Sequence, residues 1–366
     1  MPYLEKIVIQ DFRNIVLQEI SFSRNINCVS GNNGEGKTNL LDAIHYLSMT
    51  KSAFGTSDKY NYRHGTKAFA ISGTYEMPSG QISRISIRSA EGSDKKIVRD
   101  DKQYAKASDH IGLLPVVMVS PSDTALVSES GDERRRFTNA VLSQMDREFL
   151  SDMQKYGKLL AQRNALLKSD RIDEALLDAI DANMDLFASR IYERRKAFIE
   201  ELEPVVQEYY DRLSSGHESV SIEYRSDLSR GSLLDTLRQT RGRDAALRFT
   251  GAGIQRDDFI FNMDGHPIRR CGSQGQQKSF LVSLKFAQYE IMKKAYGYPP
   301  TLLLDDLFDK LDMDRTSNLL KMVSGSDFGQ IFITDSNKVR LKGIVDGITE
   351  DRIYLEAAGG AFTPCE

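Results

Sequence analysis

Alternating and helical patterns of apolar residues follow one another along the chain. Residues 4–9 alternate between apolar and polar side chains as a strand does, and residues 22–29 predict a second strand that runs into a glycine-rich turn. After this turn, apolar residues recur at helical spacing over residues 40–47. The predicted order is therefore strand, glycine-rich loop, helix.

Two further groups of short strands are predicted. Glycine-containing turns separate three strand-like runs, which cover residues 68–71, 82–88 and 116–119. We expect a partly antiparallel β-rich layer from them. Residues 301–304 and 330–334 form short, almost wholly apolar runs, which are typical of buried parallel strands.

The middle of the chain is helical in pattern. Apolar residues recur every three or four positions from Phe137 to Leu160, which predicts one long helix with an apolar stripe, and a second stripe runs from Leu176 to Ile191. We read these stripes as core packing. The predicted organisation is an α/β domain made of residues 1–124 and 216–366, interrupted by a helical arm lobe over residues 125–215.

The composition narrows the class of protein. The chain has 366 residues, of which 40% are hydrophobic and 28% charged, and its net charge of −3 argues against an all-over basic surface. No apolar run is long enough for a membrane helix, and the first residues lack the features of a signal peptide. We therefore expect no membrane partner. Because the cysteines (Cys28, Cys271 and Cys365) are few and scattered, we expect a cytoplasmic protein.

Residues 31–38 carry the clearest chemistry. They match the pattern G-x-x-x-x-G-K-[ST] of a phosphate-binding loop (P-loop) at every fixed position and read Gly31, Asn32, Asn33, Gly34, Glu35, Gly36, Lys37 and Thr38. In such a loop, backbone N–H groups point at phosphate oxygens, and the following helix adds the positive end of its dipole. We predict that Lys37 contacts the β- and γ-phosphates of ATP and that the Thr38 hydroxyl binds Mg²⁺.

Two carboxylates follow the apolar run at residues 301–304. A P-loop site needs a second acid on a neighbouring strand to hold Mg²⁺, and Asp305 at the strand tip is predicted to supply it. Asp306 is predicted to polarise the attacking water. The alternative is that one of the two acids, Asp306 rather than Asp305, only caps the next turn.

A third element, Ser-Gln-Gly-Gln-Gln at residues 273–277, directly precedes a helical pattern. Ser273 alone would be read as a helix N-cap. A P-loop, this turn and a Leu-Leu-Leu-Asp-Asp strand, in that order, resemble the ATPase head of the ABC and SMC superfamily. The resemblance implies that the turn is the signature motif, which contacts the γ-phosphate held by a second subunit through Ser273, Gly275 and Gln276. It also implies that Asp312 lies in a dimer-facing loop and that residues 331–335 sense the γ-phosphate.

Within this superfamily the chain resembles the RecF family of recombination-mediator ATPases, from about residue 3 to about residue 335. The segments that carry the resemblance are residues 11–14 (Asp-Phe-Arg-Asn), 31–44, 119–123, 134–137, 162–168 (Gln-Arg-Asn-Ala-Leu-Leu-Lys) after Tyr156, 256–258, 273–277 and 302–306. The chain departs from the usual family residues at Gly55 and at residues 138–139 and 252–255. Transporters do not fit, and relatives with long coiled coils need hundreds more residues between the motifs.

The resemblance implies an ABC/SMC-like head with a mixed parallel sheet, an antiparallel β layer and an inserted helical arm. It implies a homodimer that closes around two ATP molecules and binds DNA at single-strand/duplex junctions. Such a dimer would help to load a RecA-type recombinase together with RecR- and RecO-type mediators, and slow ATP hydrolysis would reset it. Arg13 and Asn14 resemble residues that contact nucleotide phosphates in related heads, with a surface ion pair as the alternative for Arg13.

The residues leave two questions open, the DNA contacts and the function class. Basic residues that could contact DNA phosphates cluster in a predicted hairpin that also contains acids, and at residues 134–136; the hairpin cluster is Arg84, Arg88, Lys95, Lys96, Arg99 and Lys102. The alternative functions are a metabolic P-loop kinase, which would not need residues 273–276, and another SMC-like ATPase associated with defence or a nuclease.

Overall fold

The computed structural model describes residues 1–55, 57–129, 131–214, 218–306, 328–347 and 349–365. Contacts divide the chain into two compact units. The first comprises Met1–Asp123, Arg212–Ser215 and Val282–Glu366, and the second comprises Thr124–Asp211 and Gly216–Leu281. Among the described residues, no helix is both long and apolar enough to cross a lipid bilayer.

Strands and helices alternate in long blocks. The strands of the described residues are β1 (Tyr3–Phe12), β2 (Ile15–Ser21), β3 (Ile26–Ser30), β4 (Ala68–Glu76), β5 (Ile82–Ala90), β6 (Lys96–Arg99), β7 (Lys102–Gln103), β8 (Val116–Val119), β9 (Val220–Arg225), β10 (Asp258–Met263), β11 (His266–Pro267), β12 (Thr301–Leu304), β13 (Ile331–Asp335), β14 (Arg352–Ala358) and β15 (Ala361–Pro364). The α-helices are α1 (Lys37–Met49), α2 (Ala125–Ser128), α3 (Gly131–Met145), α4 (Arg147–Leu167), α5 (Glu174–Ser214), α6 (Leu233–Leu247), α7 (Ile268–Cys271), α8 (Gln274–Tyr296) and α9 (Lys338–Val345).

A mostly parallel sheet forms the centre of the first unit. Its strand order is β15-β14-β3-β13-β12-β8, and only the β14–β15 pair among these described strands is antiparallel. Every residue of β3, β8 and β13 is buried, as predicted for strands covered on both faces. Because parallel strands end at the same edge, the P-loop after β3 and the acids after β12 lie at one edge of this sheet.

The predicted antiparallel layer is confirmed for residues 68–71 and 82–88, which lie in a second sheet with the order β2-β1-β4-β5-β6-β7. The placement of residues 116–119 in that layer is wrong: β8 pairs in parallel with β12 in the first sheet, because its wholly apolar run suits a strand buried on both faces.

The single strand predicted over residues 22–29 is wrong: β2 ends at Ser21 and β3 begins at Ile26. The cause is a polar turn between them. The Asn27 side chain accepts a hydrogen bond from the Ser23 N–H (2.8 Å) and donates one to the Ser23 carbonyl (3.1 Å), which holds the chain in that turn.

The second unit contains the predicted helices, but the long helix from Phe137 to Leu160 is broken into α3 and α4. Asp146 interrupts it because its carboxylate accepts hydrogen bonds from the N–H groups of Glu148 (2.8 Å) and Phe149 (3.0 Å) and so caps a new helix. Helix α5 runs over 41 residues and continues through Pro204.

The second unit also reaches beyond the predicted arm limit of residue 215, up to Leu281. Strands β9, β10 and β11 form a three-stranded sheet of their own, and β10 lies against α3. Arg134 of α3 links these elements through a bidentate ion pair with Asp258 of β10 (2.8 and 3.1 Å). These contacts explain why residues 218–281 join the helices rather than the residues of the head on either side.

A buried charge network holds α4, α5 and α6 together. Arg163 of α4 is fully buried and donates to Asp181 of α5 (2.6 Å) and to Asp244 of α6 (2.7 Å), and both carboxylates are fully buried as well. Arg163 also donates to the Thr250 hydroxyl (2.9 Å). Arg163, within the segment at residues 162–168, therefore connects three helices inside the second unit.

Candidate nucleotide-binding site

The P-loop connects β3 to α1, and at two of its positions neighbouring atoms lie so close that only glycine fits. At Gly31 a Cβ atom would lie 2.5 Å from the Ala357 carbonyl oxygen of β14, and at Gly36 it would lie 2.8 Å from the Asn14 side-chain amide. Gly36 also has a left-handed backbone (φ 106°) and caps α1. The loop is thus held between the start of the chain and its last strands.

The side chain of Lys37 folds back against the backbone of the preceding P-loop residues. Its ammonium donates hydrogen bonds to the carbonyl oxygens of Gly31 (2.7 Å) and Asn32 (3.2 Å), and only 4% of its side chain is exposed. The ammonium is also 3.9 Å from Oδ1 of Asp306. This arrangement presents a positive charge at the start of α1, where the helix dipole also favours phosphate.

Thr38 and Asp305, the two residues predicted to bind Mg²⁺, are brought together by the fold. The Thr38 hydroxyl lies 3.0 Å from both carboxylate oxygens of Asp305. Burial raises the pKa of Asp305, and the hydrogen bonds from Thr334 and Thr38 oppose this shift. A hydroxyl and a carboxylate are hard oxygen ligands, which suit Mg²⁺ when phosphates and water complete its shell.

Asp306 has a different environment from Asp305. Its backbone is left-handed (φ 43°), and its N–H donates to the Thr334 hydroxyl at 3.0 Å. The Asp305 carboxylate therefore lies next to Thr38, whereas the Asp306 carboxylate lies on the Lys37 side. Thr334 lies in the predicted γ-phosphate-sensing strand, but the sequence does not predict its contact with both acids. A hydroxyl residue at the carboxyl end of a strand beside β12 is the signal that could have revealed it.

Arg13 and Asn14 lie beside the P-loop helix in different ways. The Arg13 guanidinium pairs with Asp42 of α1 (2.7 Å) and donates to Ser52 (3.0 Å) and Asn39 (3.2 Å). Asp42 is fully buried, so this pair is internal and not the surface ion pair considered as the alternative. Asn14 accepts a hydrogen bond from Asn39 (2.7 Å) and lies against Gly36.

The signature turn belongs to the second unit and begins α8. Ser273 and Gln276 form a capping box: the Gln276 N–H donates to the Ser273 hydroxyl (3.2 Å), and the Ser273 N–H donates to the Gln276 side chain (2.7 Å). The N-cap interpretation of Ser273 is therefore confirmed. Gly275 follows in the first turn, and Gln276 also donates to Glu218 (2.7 Å). Asp312 lies outside the described residues.

Comparison with known proteins decides the family. Residues 3–349 match the family described as RecF/RecN/SMC N terminal domain. The DNA replication and repair protein RecF of Bacteroides fragilis is 41% identical over 364 residues, which cover 99% of this chain and 98% of that protein. The protein of the same name from Bacteroides thetaiotaomicron is 43% identical over 349 residues, 95% of each chain. The chain belongs to the RecF family.

Solved structures agree with this assignment. The recombination mediator protein RecF with ATP, from the RecFOR pathway, superposes with a TM-score of 0.91 at 27% identity, covering 100% of this RecF-family chain and 98% of the other. The Smc head domain of Pyrococcus furiosus superposes with a TM-score of 0.57 at 16% identity, covering 100% and 96%, which shows the shared fold. The ABC/SMC-type ATPase head predicted from the order of the motifs is confirmed.

Proposed function

We propose that this chain binds ATP with Mg²⁺ at the P-loop, hydrolyses it slowly and acts in DNA replication and repair. The observation that carries the proposal is the meeting of Lys37, Thr38 and Asp305 at one edge of the parallel sheet. The site thereby offers an ammonium for the phosphates and a hydroxyl and a carboxylate for the metal. The RecF structure solved with ATP supports this assignment.

The residues of the chain have separate roles in the proposed hydrolysis. Lys37 exchanges its carbonyl partners for β- and γ-phosphate oxygens, and Asp306, on the Lys37 side of the site, orients the attacking water. Mg²⁺, when bound, neutralises phosphate charge. Because the Asp306 side chain is shorter than a glutamate, we propose that it holds the water loosely, which makes hydrolysis slow. An Asp306→Glu variant that is no faster in a single turnover would contradict this explanation.

We further propose that ATP closes a homodimer in which the partner's signature turn completes each site. In support, Ser273 is exposed at the start of α8, a helix of 23 residues whose dipole favours phosphate at this end. An interface built this way joins the same two surfaces on both copies, so it closes with two-fold symmetry. ATP then stabilises the dimer by mass action, and hydrolysis releases it.

DNA is the proposed partner, and the antiparallel sheet offers the phosphate contacts. Arg88 of β5 lies directly opposite Lys96 of β6, and both side chains are exposed. Neither forms an ion pair with any carboxylate in the described part of the chain, and like charges in this position repel each other. A DNA backbone would relieve that repulsion without reading bases. Residues 134–136, in contrast, all pair with acids of their own unit.

The resemblance and the relatives' names extend the proposal to the pathway. We propose that the dimer recognises gapped DNA, works with RecR- and RecO-type mediators and helps to load a RecA-type recombinase. The relative solved with ATP is described as a recombination mediator of the RecFOR pathway, which supports this role.

The test is the mass of the chain in solution, measured by light scattering with ATP and Mg²⁺, with and without gapped DNA. We expect the mass to double with ATP, and DNA to bind only then. Ser273→Arg should block both, whereas Ser229→Arg, at an exposed serine of the same unit, should block neither. ATP binding without a change in mass would favour a kinase, and no ATP binding would overturn the proposed function.

A further inference from the structure

The last two strands of the chain form a hairpin against the P-loop. Strand β14 pairs in parallel with β3, the strand that leads into the loop, with Glu356 opposite Ser30. The turn between β14 and β15 contains Gly359 and Gly360, both with left-handed backbones. The P-loop motif gives no sign of this contact, because the hairpin lies more than three hundred residues further along the chain.

The turn contacts the middle of the P-loop through Glu35. The Gly360 N–H donates to the Glu35 carbonyl oxygen (2.9 Å), and the Gly359 N–H donates to the Glu35 carboxylate. Glu35 is the residue before Gly36, at the point where the loop turns into α1. The hairpin therefore holds the loop by its backbone at the position that decides where the first N–H groups of α1 point.

A second contact runs through Asn14. A Cβ atom on Gly360 would collide with the Asn14 carbonyl oxygen, and a Cβ atom on Gly36 would lie only 2.8 Å from the Asn14 side-chain amide. Asn14 is fixed from the other side by Asn39 of α1 (2.7 Å). Gly360, Asn14 and Gly36 are thus stacked in direct succession, and a displacement at one end is passed to the loop.

We infer that the turn of the C-terminal hairpin positions the P-loop and that Gly360 is a positioning residue for nucleotide binding. The inference rests on the proposed function for its ligand, ATP. The backbone N–H groups of the P-loop point at phosphate oxygens only in one conformation of the loop. The hairpin holds the loop in that conformation before ATP binds. A glycine is required at 360 because any larger residue pushes Asn14 toward Gly36.

The test compares Gly360→Ala with Gly80→Ala in the full chain. Gly80 has nearly the same backbone angle (φ 79° against 82°), and a Cβ atom there would meet nothing within 4 Å. Both variants bear a similar backbone strain, and Gly360→Ala adds the collision with Asn14, so it should lose more thermal stability than Gly80→Ala. Only Gly360→Ala should weaken ATP binding with Mg²⁺, by about tenfold or more, because it misplaces the loop. Equal ATP affinities in the two variants would overturn the inference.

A second readout does not depend on ATP. Hydrogen exchange without nucleotide should be faster over residues 31–36 in Gly360→Ala than in the native chain or in Gly80→Ala. Native chain that binds no ATP would overturn the proposed function, while the exchange rates would still decide on the hairpin. If Gly360→Ala does not fold, Glu35→Ala takes its place, because it removes the carboxylate that accepts a hydrogen bond from the Gly359 N–H. An unchanged exchange rate over residues 31–36 in that variant would overturn the inference.

Discussion

The Thr334 hydroxyl donates a hydrogen bond of 2.8 Å to Oδ1 of Asp305, although 28 residues separate them in the chain. The same hydroxyl accepts the N–H of Asp306, so one side chain of β13 orients both acids that follow β12. Thr334 is fully buried, and its place at the end of a neighbouring parallel strand allows it to reach both. It is a positioning residue for the proposed metal site.

Replacing Thr334 by valine keeps the shape of the side chain and removes the hydroxyl. We expect the free energy of unfolding to fall by about 1–3 kcal/mol, because the Asp306 N–H loses its partner. The Mg²⁺ concentration needed for half-maximal ATP binding should rise about tenfold or more, since Asp305 loses an orienting donor. Thr334→Ser should restore the Mg²⁺ dependence. The same Mg²⁺ titration curve for Thr334→Val and the native chain would refute this role.

Removing Arg13 should cost stability in a pH-dependent way. Burial raises the pKa of Asp42, and the Arg13 guanidinium counteracts this, so in Arg13→Met the pKa of Asp42 should rise further. A carboxyl whose pKa is higher in the folded than in the unfolded state favours folding at low pH, and this contribution is lost as the pH rises through the folded-state pKa. We therefore expect a deficit of about 3 kcal/mol at neutral pH that shrinks as the pH falls towards 3.8, the ordinary value for aspartate.

Urea unfolding at neutral and mildly acidic pH measures this deficit. Arg63→Met is the matched control, because Arg63 pairs with Asp11 (2.6 Å) at the surface of the same unit and should show little change at either pH. A deficit in Arg13→Met that stays constant over this range would show that Asp42 does not respond to Arg13.

The buried network around Arg163 should dominate the stability of the second unit. Arg163→Met leaves two fully buried carboxylates, Asp181 and Asp244, without their shared cation, so we expect a loss of about 3–5 kcal/mol in the free energy of unfolding. Arg225→Met, which removes an exposed pair with Glu223, should change it little. Urea unfolding followed by circular dichroism measures the free energy of unfolding of both variants. Equal losses in Arg163→Met and Arg225→Met would contradict a dominant role of Arg163 in stability.

The paired cations of the antiparallel sheet should appear in the salt dependence of DNA binding. Replacing Arg88 and Lys96 by serine should reduce the slope of log K against log salt by about two, one for each phosphate contact. The same change should raise the melting temperature slightly, because the two like charges face each other. Lys67→Ser, at an exposed lysine paired with Glu91, is the control. An unchanged slope would place the DNA contacts elsewhere.

Sequence reasoning succeeded where neighbouring residues carry the signal. The buried parallel strands around residues 301–304 and 330–334 are predicted correctly because a run of apolar side chains is a local property. Residues 116–119 are predicted correctly as a strand but in the wrong sheet, since strand pairing is not a local property. Sequence reasoning failed at Asp146, where the apolar stripe continues across a helix break. The cap formed by that carboxylate is also a local feature, but the three- to four-residue spacing of apolar side chains continues across it in the sequence and hides the break.

The amino-acid sequence by itself determined the P-loop, the acid pair after β12 and the likeness to the RecF family, since each depends on a short run of residues in a set order. Only the tertiary structure decided how those parts are held. Thr334 reaches Asp305 from the next strand of the sheet, and the Gly360 turn reaches Glu35 from the far end of the chain. The physical reason is that hydrogen bonds between strand ends and loops depend on which strands are neighbours in the sheet. The periodicity of apolar residues along the chain does not indicate which strands are neighbours.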